Sequence, residues 1–466
     1  MRVAGIDSST QSTKVVVVDD GVVIRSGRAS HPDGTEVDPQ LWWEALKAAI
    51  ADAGGIADCE AVSVAGQQHG LLCLDTQGEV LRPALLWNDL RSASSAADLI
   101  DEDSVEFWVN ACGSAPVASL TVSKVRWVAD NEPEVADRIA AICLPHDWLT
   151  WKLSGSTDIR DLVTDRSDAS GTGYVDCRTG QYRFDLLARA LRRSEDEAKA
   201  IVLPRIAEPF ETVGSLSAEF GSAKLGPGCG DNAAAALGLG LRPGQASVSL
   251  GTSGVVACVS NEPVIDDAGE VTGFMDATGN WLPLACTING SRIVDYVKNI
   301  LSVSYAEFDE LAASASPSGL VLIPYFEGER TPNLPSAQAA IVGLTPATAT
   351  PAAFARGAVE GMCCLLRGAM EALIRGGARI DSAVLIGGGA KSQIVQQMMA
   401  NILHIPVEVP QPAEYVALGA AWQAMRLRVP DLQPWAPNMT RFDPQGDDGA
   451  WKRYQDAISL RAHRGS

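Results

Sequence analysis

Val3-Ala4-Gly5-Ile6-Asp7-Ser8-Ser9-Thr10-Gln11-Ser12-Thr13-Lys14-Val15-Val16-Val17-Val18 sets the reading of the whole chain. Val3 to Ile6 and Lys14 to Val18 read as two apolar strands, with a tight Ser/Thr/Gln-rich hairpin tip between them. Such a tip points several backbone N–H groups and hydroxyls in one direction, which suits phosphate oxygens. Asp7 closes the first strand with the residue type that holds Mg²⁺, an ion that favours carboxylates and keeps part of its water shell. A Ser/Thr-rich surface hairpin carrying one lysine accounts for the same residues, so the turn alone leaves both readings open.

Working outward, Asp19-Asp20-Gly21 turns the chain into a third strand near Val22 to Gly27. Asp38 and Pro39 then open a helix with Leu41, Trp42, Ala45, Leu46, Ala49 and Ile50 at helical spacing, and Gly54 stops it. Strands and helices alternate to about residue 240, which argues for α/β layering. From Gln245 the pattern restarts. Ala246 to Leu250, the turn Gly251-Thr252-Ser253-Gly254 and Val255 to Ala257 again read strand, polar turn, strand. Two such turns can grip one triphosphate from both sides. Thr350-Pro351 opens a long helix ending near Gly376-Gly377. The buried strand Ser382 to Ile386 runs into Gly387-Gly388-Gly389-Ala390, where bare backbone lets a nucleotide base and ribose lie flat. A helix from Ser392 to His404, a strand at Val407 to Val409 and a helix from Tyr415 to Arg428 follow. The two halves form a weak repeat of topology.

Across 466 residues the formal charge is −20 and hydrophobic residues make up 46%. That composition supports buried cores, while the acidity and the lack of any basic patch exclude nucleic acid and anionic membrane as partners. The N-terminus carries no export signal and no stretch approaches the roughly 20 apolar residues of a membrane span, so a cytoplasmic protein is expected. Ten scattered cysteines without a CxxC pair read as reduced, buried thiols.

Three segments carry candidate chemistry. Gly226-Pro227-Gly228-Cys229-Gly230-Asp231-Asn232 delivers Asp231 to the start of an Ala-rich helix, where it serves as an N-cap, a general base, or both. A helix N-terminus would lower its pKa. Ala65-Gly66-Gln67-Gln68-His69-Gly70 follows an apolar strand, at the kind of strand end where ligands collect, and offers donors and acceptors for a polyol. Leu86-Trp87-Asn88-Asp89-Leu90-Arg91 supplies an indole for an apolar sugar face, ahead of a helix begun by Ser92-Ala93-Ser94. In Pro324 to Pro332, Glu327, Glu329 and Arg330 read as internal acid–base pairing.

These turns and segments, over residues 1 to 430, resemble the FGGY carbohydrate kinases of the actin-like ATPase superfamily, and most closely their xylulose-phosphorylating branch. The resemblance implies an α/β fold of two actin-like (ribonuclease H-like) ATPase domains flanking a central cleft. Residues 1–240 would form the N-terminal domain, mainly for sugar, and 241–430 the C-terminal domain, mainly for nucleotide, with 431–466 a tail packed on it. It implies ATP and Mg²⁺, with Asp231 as catalytic base and Asp7 as catalytic and metal-holding carboxylate. Gln68, His69, Trp87, Asn88, Asp231 and Asn232 would bind the sugar, D-xylulose first. Thr10, Gln11, Ser12, Lys14, Thr252, Ser253, Gly388, Gly389 and Ser392 would bind ATP. The family has room for a homodimer. Two departures stand out: Ser9 where relatives carry Gly, and Gln68 where they carry Met. Kinases for ribulose, glycerol or gluconate are the neighbouring readings. A non-kinase actin-like ATPase is the distant one, and too little chain follows residue 430 for a chaperone's peptide-binding domain.

Overall fold

The computed structural model describes residues 1–317, 319–446 and 449–462. The opening hairpin forms as β1 (Arg2–Ser8) and β2 (Ser12–Asp19), paired antiparallel with Asp7 opposite Lys14, and β3 (Val22–Ser30) extends it. Helix α1 (Pro39–Asp52) starts where the cap signals put it, with the Asp38 carboxylate accepting from the Gln40 N–H at 2.9 Å. Its buried face carries Trp42, Trp43, Leu46 and Ile50. Leu41, expected on that face, stays 46% exposed because two adjacent indoles occupy it.

β4 (Ala61–Gly66) pairs parallel with β1. The short strands β5 (Gly214–Ser215), β6 (Lys224–Leu225) and β7 (Cys229–Gly230) complete a seven-stranded sheet, ordered β5-β6-β4-β1-β2-β3 with β7 on the far end of β4. In this register Ser8 lies beside Gly66, and Gly66 beside Gly230. The chain therefore leaves three neighbouring strand ends together, at Ser9, Gln67 and Asp231, with Asp7 the last residue but one of β1.

The second sheet repeats the plan. β8 (Gln245–Leu250) and β9 (Gly254–Cys258) form its hairpin, β10 (Leu284–Thr287) extends it, and β11 (Ser382–Ile386) pairs parallel with β8. β12 (Val407–Pro410) and β13 (Met439–Phe442) finish the order β10-β9-β8-β11-β12-β13. Two sheets built from a hairpin, an extension and a parallel neighbour are the actin-like, ribonuclease H-like pair.

Helices cover both sheets. On the first half α2 (Ala93–Asp103), α3 (Pro145–Ser154), α4 (Arg166–Ser170) and α5 (Asp231–Gly238) follow in order. On the second, the Thr350 hydroxyl caps α6 (Pro351–Arg375) by accepting from the Ala353 N–H, and Met362, Leu366 and Leu373 fill its core. α7 (Gln393–Leu403), α8 (Tyr415–Arg426) and α9 (Ala450–Ala462) follow, with Tyr454 of α9 buried in that same core.

Helix α8 crosses between the halves. Its Ala417, Ala421, Ala424 and Met425 pack on Val3, Val16, Val18 and Ala61 of the first sheet. The approach needs glycine: a Cβ on Gly5 would lie 2.0 Å from the Ala417 carbonyl oxygen, and one on Gly419 would lie 1.9 Å from that of Ala234 in α5. All ten cysteines are free thiols. Among the described residues no helix is long and apolar enough to cross a membrane.

Candidate active site

Asp7 is buried at the end of β1, where Ser9 Oγ donates to its carboxylate and Lys14 Nζ lies 3.5 Å away. Lys14 also reaches Glu414, just before α8, at 2.6 Å. Burial pushes the Asp7 pKa up, and Ser9 and Lys14 offset part of that. Ser9 has no positive φ, so this turn accepts a side chain there. Thr10 and Gln11 form the tip, while Ser12 is buried in β2.

At the end of β4, Gln68 Oε1 accepts from Asn232 Nδ2 at 2.7 Å. That contact depends on Gly230, where a Cβ would stand 2.6 Å from Gln68 Nε2. His69 takes the left-handed conformation (φ 67°) that swings its ring toward Phe274, 5.3 Å between centroids. Burial, aided by the Lys124 charge, lowers the His69 pKa to about 3, so the ring is neutral and Nδ1 has no protein partner. Trp87 Nε1 donates to Thr10 Oγ1 at 2.8 Å, tying the sugar-facing loop to the first turn. The buried Asn88 Oδ1 likewise has no protein partner.

Asp231 departs from the expectation of an N-cap. Gly230 is the cap, and Asp231 is the first residue of α5, its Oδ1 accepting from the Asn232 N–H at 2.8 Å. Nor is its pKa lowered. Surrounding protein and the nearby Asp7 charge raise it to about 7, against the opposing pull of the helix-end N–H groups.

Gln68, His69, Trp87, Asn88, Asp231 and Asn232 line a cleft of about 640 Å³ whose opposite wall comes from the second half, through Ser253, Thr272, Phe274, Cys286 and Arg330. Phe274 belongs to no motif read in the sequence, and Arg330 reads there as a partner of Glu327 and Glu329, not as a site residue. Glu327 pairs with Arg292 at 2.8 Å, and Glu329 accepts from the Ile288 N–H and Asn289 Nδ2. The pairing expected of Arg330 is confined to its backbone, whose N–H donates to Glu329 Oε1 at 2.8 Å, while its guanidinium has no carboxylate partner among the described residues and Arg330 lines the cleft.

Thr252 and Ser253 are exposed at the second turn, as a phosphate-facing tip requires. A further cavity of about 570 Å³ opens at the ends of β11 and β12, lined by Gly387, Ala390, Lys391, Gln396, Pro410 and Tyr415. Gly388 and Gly389 lie in its 3₁₀ turn, and a Cβ on Gly388 would meet nothing within 4 Å. The Ser392 hydroxyl is turned away to cap α7.

The N-terminal domain of the FGGY family of carbohydrate kinases matches residues 2–238 and its C-terminal domain residues 246–427. A xylulose kinase from Streptomyces coelicolor is 43% identical over 439 residues, covering 91% of this chain and 88% of the relative. The crystal structure of a xylulose kinase from Bifidobacterium adolescentis superposes with a TM-score of 0.95 at 44% identity, covering 98% of this chain and 99% of that one. A Plasmodium falciparum glycerol kinase, solved with ADP, shares the fold at a TM-score of 0.88 and 20% identity, covering 99% and 98%.

Proposed function

The chain belongs to the FGGY family of carbohydrate kinases, and from that premise we propose that it transfers the γ-phosphate of ATP to the terminal primary hydroxyl of D-xylulose. The observation that carries the reading is the place of Asp231. It sits in the two-walled cleft beside Asn232, Gln68 and His69, and close enough to Asp7 to feel its charge.

In this reading Gln68, His69, Asn232, Trp87 and Asn88 bind the sugar. The neutral His69 ring and the unpaired Asn88 oxygen are the kind of groups that pair hydroxyls. As the sugar oxygen bonds to the γ-phosphorus and the bond to ADP breaks, Asp231 takes the hydroxyl proton. A carboxylate with a pKa near 7 is a better base than an ordinary one and is still ionised in a useful fraction at neutral pH. Positioning carries most of the remaining barrier in phosphoryl transfer. Thr10, Gln11, Thr252 and Ser253 hold the phosphates between the turns, with Lys14 adding positive charge. The base and ribose lie against Gly388 and Gly389, while Ser12 and Ser392 support their turns. Asp7 fits a Mg²⁺ site: one buried carboxylate, only partly compensated by Ser9 and Lys14, beside a phosphate turn. Bound there with ATP, Mg²⁺ would neutralise charge on the phosphate oxygens.

D-xylulose is favoured by the two relatives named above, each similar over nine-tenths of this chain. Side-by-side kcat/KM values for D-xylulose, D-ribulose, L-ribulose and glycerol test it. D-xylulose should lead its epimers by roughly 5- to 150-fold, the cost of one unpaired buried polar group. A match by D-ribulose or glycerol would remove the substrate and leave the kinase. The same reading includes a cytoplasmic location, in keeping with ten free thiols, and a homodimer. Edge strand β3, with Val22, Val23 and Ile24 exposed, offers a surface for a second copy, and light scattering gives the mass.

A further inference from the structure

Behind the catalytic loop lies a group of charges that the mechanism above does not use. His146 at the start of α3 is fully buried, and its Nε2 stands 3.3 Å from Asp165 Oδ1, 3.4 Å from Asp147 Oδ1 and 3.5 Å from Asp168 Oδ2. None of the four residues is more than 1% exposed. Asp165 Oδ1 and Oδ2 accept from the first N–H groups of α4, and Asp147 Oδ2 accepts from the Leu144 N–H at 2.8 Å. Both oxygens of Asp168 and Asp147 Oδ1 have no hydrogen-bond partner. The thiols of Cys143 and Cys229 and the phenol of Tyr174, which also feel this cluster, are held neutral by burial. Burial favours the neutral forms of Asp168 and of Asp147, whose pKa it raises to about 6. Asp165, held by two helix N–H groups, instead calls for one cation beside it, because unpaired buried charge is expensive.

The cluster touches the loop that carries Asp231. A Cβ on Gly228 would stand 2.8 Å from His146 Nδ1, and one on Gly66 2.9 Å from His146 Cβ, so glycine at both positions lets the imidazole reach the backbone. Ser167, between Asp165 and Asp168, accepts through Oγ from the Gly230 N–H at 3.2 Å, one residue before Asp231. From the other side Gln423 of α8 donates to the Gly228 carbonyl at 2.8 Å.

We infer that His146 is a buried imidazolium paired with Asp165 between Asp147 and Asp168, and that through Gly228 and Ser167 this cluster is the positioning device for Asp231. The inference rests on Asp231 being the base. Burial opposes the cation, but the three carboxylates outweigh it and hold the His146 pKa above its usual range. Electrical contact runs the other way too: the Asp231 charge is among those that raise the Asp168 pKa, after burial.

The test compares H146Q, D165N, the double variant H146Q/D165N, S167A and D231N in steady-state kinetics and thermal unfolding. Imidazole ¹⁵N shifts of the wild-type protein complete it, with the His146 signal assigned as the one moved by D165N. His146 should be an imidazolium at pH 7.5. H146Q should lower kcat at least about tenfold, as a displaced catalytic group does, with KM for ATP within about twofold. The double variant should recover at least about fivefold over H146Q, since one positive and one negative charge leave together, whereas losses from packing alone would multiply. S167A should fold and lower kcat without changing KM for ATP. A neutral His146 at pH 7.5, or a double variant no better than H146Q, overturns the inference. If H146Q does not fold, the ¹⁵N shift and S167A still decide. An active D231N would instead sink the base assignment, and the imidazolium state and its stability coupling to Asp165 would be read independently of turnover.

Discussion

Replacing Asp231 by Asn should remove activity and stabilise the fold in the same step. The carboxylate sits with an affinity for protons of about 7 against an ordinary value of 3.8. A difference of about three units corresponds to ~4 kcal/mol between the protonation states. Asp231 is partly open to cleft solvent, so screening reduces this to roughly 1–3 kcal/mol. The sign follows from proton binding. Between pH 4 and 7 the native protein keeps a proton that the unfolded chain has lost, so raising pH through this window destabilises the wild type. Asn escapes that loss. Its advantage should be about half-developed at pH 5.5 and complete above pH 7, giving a rise in Tm of a few degrees at pH 8. Turnover should fall by about 10²- to 10⁴-fold. Wild-type kcat/KM for the sugar should drop about tenfold per unit below pH 7, a limb missing from any residual activity of the variant. Coupled ADP-release kinetics and melts at pH 5.5 and 8 measure both effects. Turnover within tenfold of wild type, or a lower Tm at pH 8, would refute the reasoning.

Asp7→Asn should raise the Mg²⁺ concentration needed for half-maximal rate while leaving KM for the sugar near wild type, and unchanged Mg²⁺ dependence removes Asp7 from metal binding. His69→Ala should raise KM for the sugar by roughly 5- to 150-fold, the cost of one lost polar pairing, with KM for ATP within about twofold. Equal movement of both would make His69 a support of the fold. Gly5→Ala drives a methyl to 2.0 Å from the Ala417 carbonyl and 2.4 Å from the Ala421 nitrogen, so α8 must shift. A loss of about 1–3 kcal/mol or more, seen as a lower Tm, is expected.

What was legible in the chain had local causes. Asp38-Pro39 and Thr350-Pro351 announce their helices because capping involves residues only a few positions apart. Both hairpins announce themselves because apolar runs meet polar tips. The loops holding Gln68, His69 and Asn232 were readable as motifs, though not the hydrogen bond that joins Gln68 to Asn232 across most of the first half. Phe274 was invisible as a site residue, and Arg330 reads as internal pairing, because only the facing of two sheets brings them to the cleft of Asp231. The Asp231 pKa was misjudged for the same reason: the helix end is local, whereas burial and Asp7 come from tertiary structure and prevail. His146 and its carboxylates gave no signal, since their spacing matches no motif.

The crossing of α8 also sets an order of events during synthesis. Val3, Val16, Val18 and Ala61 leave the ribosome well before Ala417, Ala421 and Ala424, which cover them and are made more than 300 residues later. At about 5–20 residues per second, the apolar back of the first sheet waits on the order of ten seconds or more for its cover. Until then Gly5 faces water instead of a helix, and the nascent sheet presents an adhesive surface of the kind that recruits chaperones. A gene cut between the two halves would make that interval permanent for the N-terminal fragment.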